Sequence, residues 1–163
     1  MPLFEQTYSS NKNYFSASHF LLGFDKCDRL HGHNYHVTVK LEYNQVDSGS
    51  TLDFRVINKE IQNELKFLDQ KILIPGDSPK IQIFSGLEDR NWNIIVERKN
   101  YSFPKQDVLI LKDIDQTTCE KIAYYLHQRI EAWFQTNYPN TISSLKVKIS
   151  ESLGTHAIYS QNT

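Results

Sequence analysis

The feature that most constrains this chain is a strict two-residue alternation over residues 31–42. His31, His33, Tyr35, Val37, Val39 and Leu41 share one parity, and Gly32, Asn34, His36, Thr38, Lys40 and Glu42 the other. Successive side chains of a strand point to opposite faces, so the pattern specifies a strand with one face buried. The apolar face carries two imidazoles. A second alternating stretch sets Phe15, Ala17 and His19 against Ser16 and Ser18, and it pairs with the first across the loop between them. Three histidines then converge, which is the ligand set of a catalytic zinc whose fourth position stays open for water or substrate. The competing reading, in which each is a hydrogen-bonded core residue, suits one histidine better than three on one face. His36 lies on the polar face, and His127 and His156 lie elsewhere, so none of these is expected in the set.

The rest of the composition excludes more than it proposes. With 163 residues the chain is long enough to bury a core without disulfide staples, and it reads as a single domain over residues 1–163, with no linker, repeat or low-complexity tract. Eighteen Lys plus Arg against nineteen Asp plus Glu give a formal charge of -1, with no basic patch for nucleic acid or a membrane surface. The longest apolar run, residues 122–126, is far too short to span a bilayer. Two distant cysteines without a CxxC pair and an N-terminus without signal-peptide character point to a reducing compartment, the cytoplasm.

Ile57, Ile61, Leu65 and Leu68 form a helical stripe, with Asp53 placed to cap its start. A second helix is expected over about residues 118–134, with Ile122, Leu126, Ile130 and Trp133 on one stripe and Thr117 and Glu120 as a capping box. Residues 92–97, 101–103 and 108–111 read as short strands, with a turn at Lys99 and Asn100, and the last strand as residues 145–151. Turns rich in Gly, Pro, Asp, Ser and Asn fall at 44–50 and 75–79. Runs of strands separated by two helices favour an α+β fold, an antiparallel sheet with both helices on one face.

Three further residues invite a chemical reason. Cys27 precedes His31 by four positions, in the loop leading to the metal set, where a divalent cation favours the thiolate; it is a candidate base or nucleophile, or else a small buried hydrophobe. Cys119 reads as such a hydrophobe. Glu151 shares the parity of Leu145, Val147 and Ile149, so its carboxylate points inward, where a charge must be paired. It would suit the amidine-like donor edge of a pterin or guanine, or an internal ion pair, or a strand end already in solvent. Asp69 closes the first helix against the helix dipole, either as an ordinary exposed acid or for a functional reason.

Taken in order, Phe15-Ser16-Ala17-Ser18-His19, then Cys27 and His31-Gly32-His33-Asn34-Tyr35, Leu52-Asp53-Phe54, Leu68-Asp69, Thr118 with Glu120, and Glu151 resemble the 6-pyruvoyl-tetrahydropterin and 6-carboxytetrahydropterin synthase family. The resemblance implies His19, His31 and His33 as zinc ligands and Cys27 as the catalytic thiol. It implies Glu151 as the anchor of the pterin ring, with Thr117 and Thr118 around that ring. It also implies the tunnelling fold, in which subunits join into trimeric barrels that stack as hexamers, with Asp69 acting on a neighbour's substrate. The implied reaction is that of a zinc-dependent lyase: elimination of triphosphate from 7,8-dihydroneopterin triphosphate, or cleavage of its side chain, for tetrahydropterin or queuosine precursors. The short Cys27–His31 spacing resembles the carboxytetrahydropterin branch. Two departures stand out. The family's Asp-His relay is here Asp69-Gln70, and Gln cannot titrate, so a catalytically weak pterin- or purine-binding paralogue is the alternative; and residues 73–112 form an extra strand-rich segment.

Overall fold

The computed structural model describes residues 3–44 and 52–162. Most of the turn expected at 44–50 lies outside the described residues; Asn44 ends a strand. In chain order the elements are β1 (Leu3–Tyr8), β2 (Tyr14–His19), β3 (His31–Asn44), α1 (Phe54–Leu68), β4 (Lys71–Pro75) and β5 (Ile81–Ser85). Then follow β6 (Asn91–Val96), β7 (Lys99–Pro104), β8 (Val108–Leu111), α2 (Cys119–Asn137), β9 (Ile142–Ser152) and β10 (Thr155–Asn162). The main sheet runs β10-β9-β3-β2-β4-β8, with β1 beside the second half of β3, and β5-β6-β7 form a second sheet.

The alternating stretch of β3 organises the molecule. Its odd residues from Tyr35 to Leu41 are buried and meet Ile57, Ile61, Leu65 and Leu68 of α1 and Ile122, Leu126, Ile130 and Phe134 of α2 in one core. Each such side chain removed from water contributes about 1.5–3 kcal/mol, which fixes the register of the strand. Both helices therefore cover one face of the sheet. Asp53 caps α1 by accepting from the Arg55 amide.

The second sheet covers the other face of the β4–β8 edge. Leu73 and Leu111 point into the main core, whereas Ile72, Ile74, Val108 and Ile110 pack with Phe20, Leu22, Ile94 and Val96 in a separate cluster. A strand buried on both faces reads as continuous apolar sequence rather than alternation. The main sheet is antiparallel from β10 to β2, as expected, but β4 runs parallel to both β2 and β8.

Several expectations need correction. The last strand is not 145–151: β9 spans Ile142–Ser152 and turns back into β10, whose largely exposed, polar residues gave no strand signal. β1 is hidden similarly, because its inward position Gln6 is polar and is satisfied by Tyr43 and the Leu52 carbonyl. β4 and β5 were also not expected. The turn expected at Lys99 and Asn100 falls on residues 97–98, where Glu97 adopts φ 53°. The cap of α2 is Thr118, which accepts from the Lys121 amide; Thr117 is buried and its hydroxyl donates to the Phe20 carbonyl. Phe134, not Trp133, completes the stripe of α2, four residues after Ile130.

Candidate functional site

The pairing of β2 with β3 sets His19 directly opposite His31 and Ala17 opposite His33. One ligand-capable atom from each of the three imidazoles falls within 4.8 Å of the others. This is the set read from the alternation. Tyr35, one step deeper on the same face, is fully buried, stacks on Phe15 at 4.8 Å and meets His19 and His33 edge-on.

Two carbonyls decide how the imidazoles present themselves. His19 Nδ1 lies 2.9 Å from the Thr117 carbonyl and His31 Nδ1 lies 2.6 Å from the Arg29 carbonyl. A carbonyl only accepts, so in both rings Nδ1 carries the proton and Nε2 keeps its lone pair. His19 Nε2 is buried without a hydrogen-bond partner, a costly arrangement unless something else takes the lone pair. Burial pushes the His19 imidazole down to about 4, against the opposing pull of the Thr117 carbonyl, so it is neutral at neutral pH. A neutral His19, the Nδ1 atoms of His19 and His31 held by carbonyls, and a buried orphan lone pair fit a divalent metal ion.

Glu151 borders this cluster. Its Oε2 lies 3.9 Å from His33 Nε2 and accepts from the Cys119 thiol at 3.3 Å. It is half-exposed rather than enclosed, with a partner that sequence reasoning missed. Cys119 is correspondingly no simple core hydrophobe: burial, and then the Glu151 charge, push its thiol up to about 12. Glu151, Cys119, Thr118, Leu21, Phe24 and His156 line a cavity of about 260 Å³. The inward parity of residue 151 was readable in sequence. That Cys119 faces it was not, because the contact joins the start of α2 to the end of β9 and no spacing links them.

The remaining predicted residues are not members of the imidazole cluster. Thr117 sits beneath it, its carbonyl on His19 and its hydroxyl on Phe20, whereas Thr118 reaches the cavity wall. Cys27 is exposed, on a one-turn 3-10 helix of residues 25–28 between β2 and β3. Asp69 ends α1 and accepts from the Ser16 amide at 2.8 Å, tying the helix to β2. Gln70 follows in the left-handed region at φ 59°, its amide donating to the Ser16 carbonyl. Gln70 shares with Ser16, Ser18, His33, Asn34 and Asp107 a second cavity of about 390 Å³.

Among the described residues no helix is long and apolar enough to cross a membrane. A family model described as 6-pyruvoyl tetrahydropterin synthase matches residues 8–162. A Methanocaldococcus jannaschii protein named "Putative 6-carboxy-5,6,7,8-tetrahydropterin synthase" is 32% identical over 146 residues, covering 89% of this chain and 88% of that protein. The solved 6-pyruvoyltetrahydropterin synthase of Plasmodium vivax superposes with a TM-score of 0.89 at 25% identity over all of both chains. The Plasmodium falciparum enzyme gives 0.82 at 25% identity over 99% of each. The curled sheet with its two helices is thus the tunnelling fold of these enzymes. Sequence and fold agree that the chain belongs to the 6-pyruvoyl tetrahydropterin synthase family.

Proposed function

We propose that the protein is a zinc-dependent pterin lyase acting on 7,8-dihydroneopterin triphosphate, eliminating triphosphate or cleaving the side chain. The observation that carries this reading is the juxtaposition of a three-imidazole cluster with Glu151, which stands 3.9 Å from His33 and lines an adjoining cavity. A zinc ion held by His19, His31 and His33 would supply Lewis acidity toward the hydroxyls of a bound side chain.

The chain's own residues supply the rest. Glu151 spends one lone pair on Cys119 and has others free, enough to accept two N–H donors from the amino-pyrimidine edge of a pterin. Thr118 completes the wall around that ring. Cys27 carries a proton between side-chain carbons, and the leaving triphosphate takes the electron pair of its C–O bond. Gln70 holds a hydroxyl or water without titrating. Asp69 has a positioning role in this reading: its Oδ1 accepts from the Ser16 amide, which fixes where Gln70 begins.

A second reading has one observation in its favour. Gln70 stands where a titrating relay residue is expected, so a binding protein that keeps metal and anchor without turnover is the alternative. Product identification by mass spectrometry after incubation of the zinc-loaded protein with dihydroneopterin triphosphate separates the two. The enzyme reading expects free triphosphate with a tetrahydropterin whose ring is reduced as its own side chain becomes carbonyl, or a dihydropterin with a shortened side chain. Pterin binding without either product sinks it in favour of the binding protein.

A further inference from the structure

The 3-10 turn that carries Cys27 has no core of its own. None of residues 25–28 is buried, Gly23 before it takes φ 80°, Asp25 takes φ 46°, and Phe24 is exposed. Its internal hydrogen bonds are short-range, from the Cys27 amide to the Phe24 carbonyl, from the Arg29 amide to the Lys26 carbonyl and from the Leu21 amide to the Cys27 carbonyl. Something outside the turn must therefore set where the Cys27 side chain lies. Two contacts with the second sheet meet that need. At the near end Phe20 stacks on Tyr101 of β7 at 5.7 Å, and Leu22 packs in the same apolar cluster as Ile94 and Val96 of β6. At the far end Lys99, the first residue of β7 after the β6–β7 turn, donates its ammonium to the Asp28 carbonyl at 2.6 Å and also pairs with the Asp28 carboxylate.

We infer that the sheet β5-β6-β7 is a clamp on the segment between His19 and His31, and that Lys99 is the positioning residue for Cys27. This rests on the reading of Cys27 as the proton carrier. The second sheet, which lies within residues 73–112 and apart from the main sheet, thereby gains a task at the site. Lys99 and Asp28 are partly exposed, and pairs of that kind add little to global stability. A Lys99 variant therefore folds, and its effect is local.

The test compares Lys99→Met, Lys99→Arg, Asp28→Asn and Cys27→Ala in the full-length zinc-loaded protein. Misplacing a catalytic group by about an ångström costs up to about 100-fold in rate. Lys99→Met is expected to lower kcat on the order of 10- to 100-fold with KM within about twofold, because the ring anchor at Glu151 is untouched. Asp28→Asn should follow in the same direction, and Lys99→Arg, which can donate to both Asp28 oxygens, should restore most of the rate. Independently of turnover, trypsin should cut after Lys26 and Arg29 several-fold faster in Lys99→Met, at unchanged thermal midpoint. A Lys99→Met protein with wild-type kcat and wild-type cleavage at those two sites overturns the clamp. If Cys27→Ala keeps full activity, the role given to Cys27 falls instead, and the trypsin comparison still decides whether the clamp exists.

Discussion

At the scale of single residues, the site depends on which atom each side chain leaves free. The Thr117 and Arg29 carbonyls fix the protons of His19 and His31 on Nδ1, so both rings offer Nε2 to a shared point. Glu151 keeps acceptor capacity because a thiol, not a cation, occupies one of its oxygens. Glu151→Gln keeps the size of that side chain but replaces an acceptor oxygen with a donor. A hydrogen bond to a charged group contributes about 1.5–3 kcal/mol, so pterin affinity should fall on the order of 10- to 100-fold while the zinc content stays unchanged. Isothermal titration with a dihydropterin measures it, and an unchanged affinity would remove Glu151 from the ring pocket. Much of this was legible in sequence. Parity placed His19, His31, His33 and Glu151 on inward faces, since the strand period is a local property. Cys119 and the carbonyl of Thr117 were not legible, because their roles come from contacts between elements far apart in the chain.

At the scale of elements, α1 packs on the sheet through its apolar stripe, and at its end the Asp69 carboxylate accepts from the Ser16 amide of β2. Asp69→Ala leaves that part-buried donor unpaired and should cost about 1–3 kcal/mol in urea denaturation, whereas Asp69→Asn keeps an acceptor and should keep both stability and kcat. A folded but inactive Asp69→Asn protein would return the carboxylate to the chemistry. The packing of α2 on β9 carries a pH dependence. His127 is buried, with Nε2 on the Leu145 carbonyl and Nδ1 3.6 Å from Glu131. Burial lowers its imidazole below the ordinary value, with Glu131 opposing. The unfolded chain then takes up a proton near pH ~6.5 that the folded one refuses, so the contribution is complete above that value and is lost as pH falls toward the folded value. Zinc-loaded His127→Gln should lose less stability than wild type between neutral pH and mild acid, read as urea midpoints; parallel losses would contradict it. Elements with one clean face, β3 and α1, were readable. β10 and β1 were not, because edge exposure and the inward Gln6 erase the alternation, and β4 was missed because burial on both faces removes it.

At the scale of the whole molecule, two cores divide the labour. The larger holds β2, β3 and both helices and so builds the imidazole cluster; the smaller attaches the second sheet to the loop between His19 and His31. Gln70 and His33 open on a different cavity from Glu151, which suits an assembly in which one chain's Gln70 faces another's substrate. Sedimentation equilibrium at micromolar concentration should accordingly give a trimer or hexamer, and a monomer would contradict this arrangement. The proposed chemistry requires that His19, His31 and His33 hold a metal ion. The most direct measurement is zinc content per chain by mass spectrometry after exhaustive dialysis, for the wild type and for His31→Ala. One equivalent in the wild type, lost in the folded variant, is the result predicted; a wild type that holds no metal, or a variant that keeps it, would contradict the account.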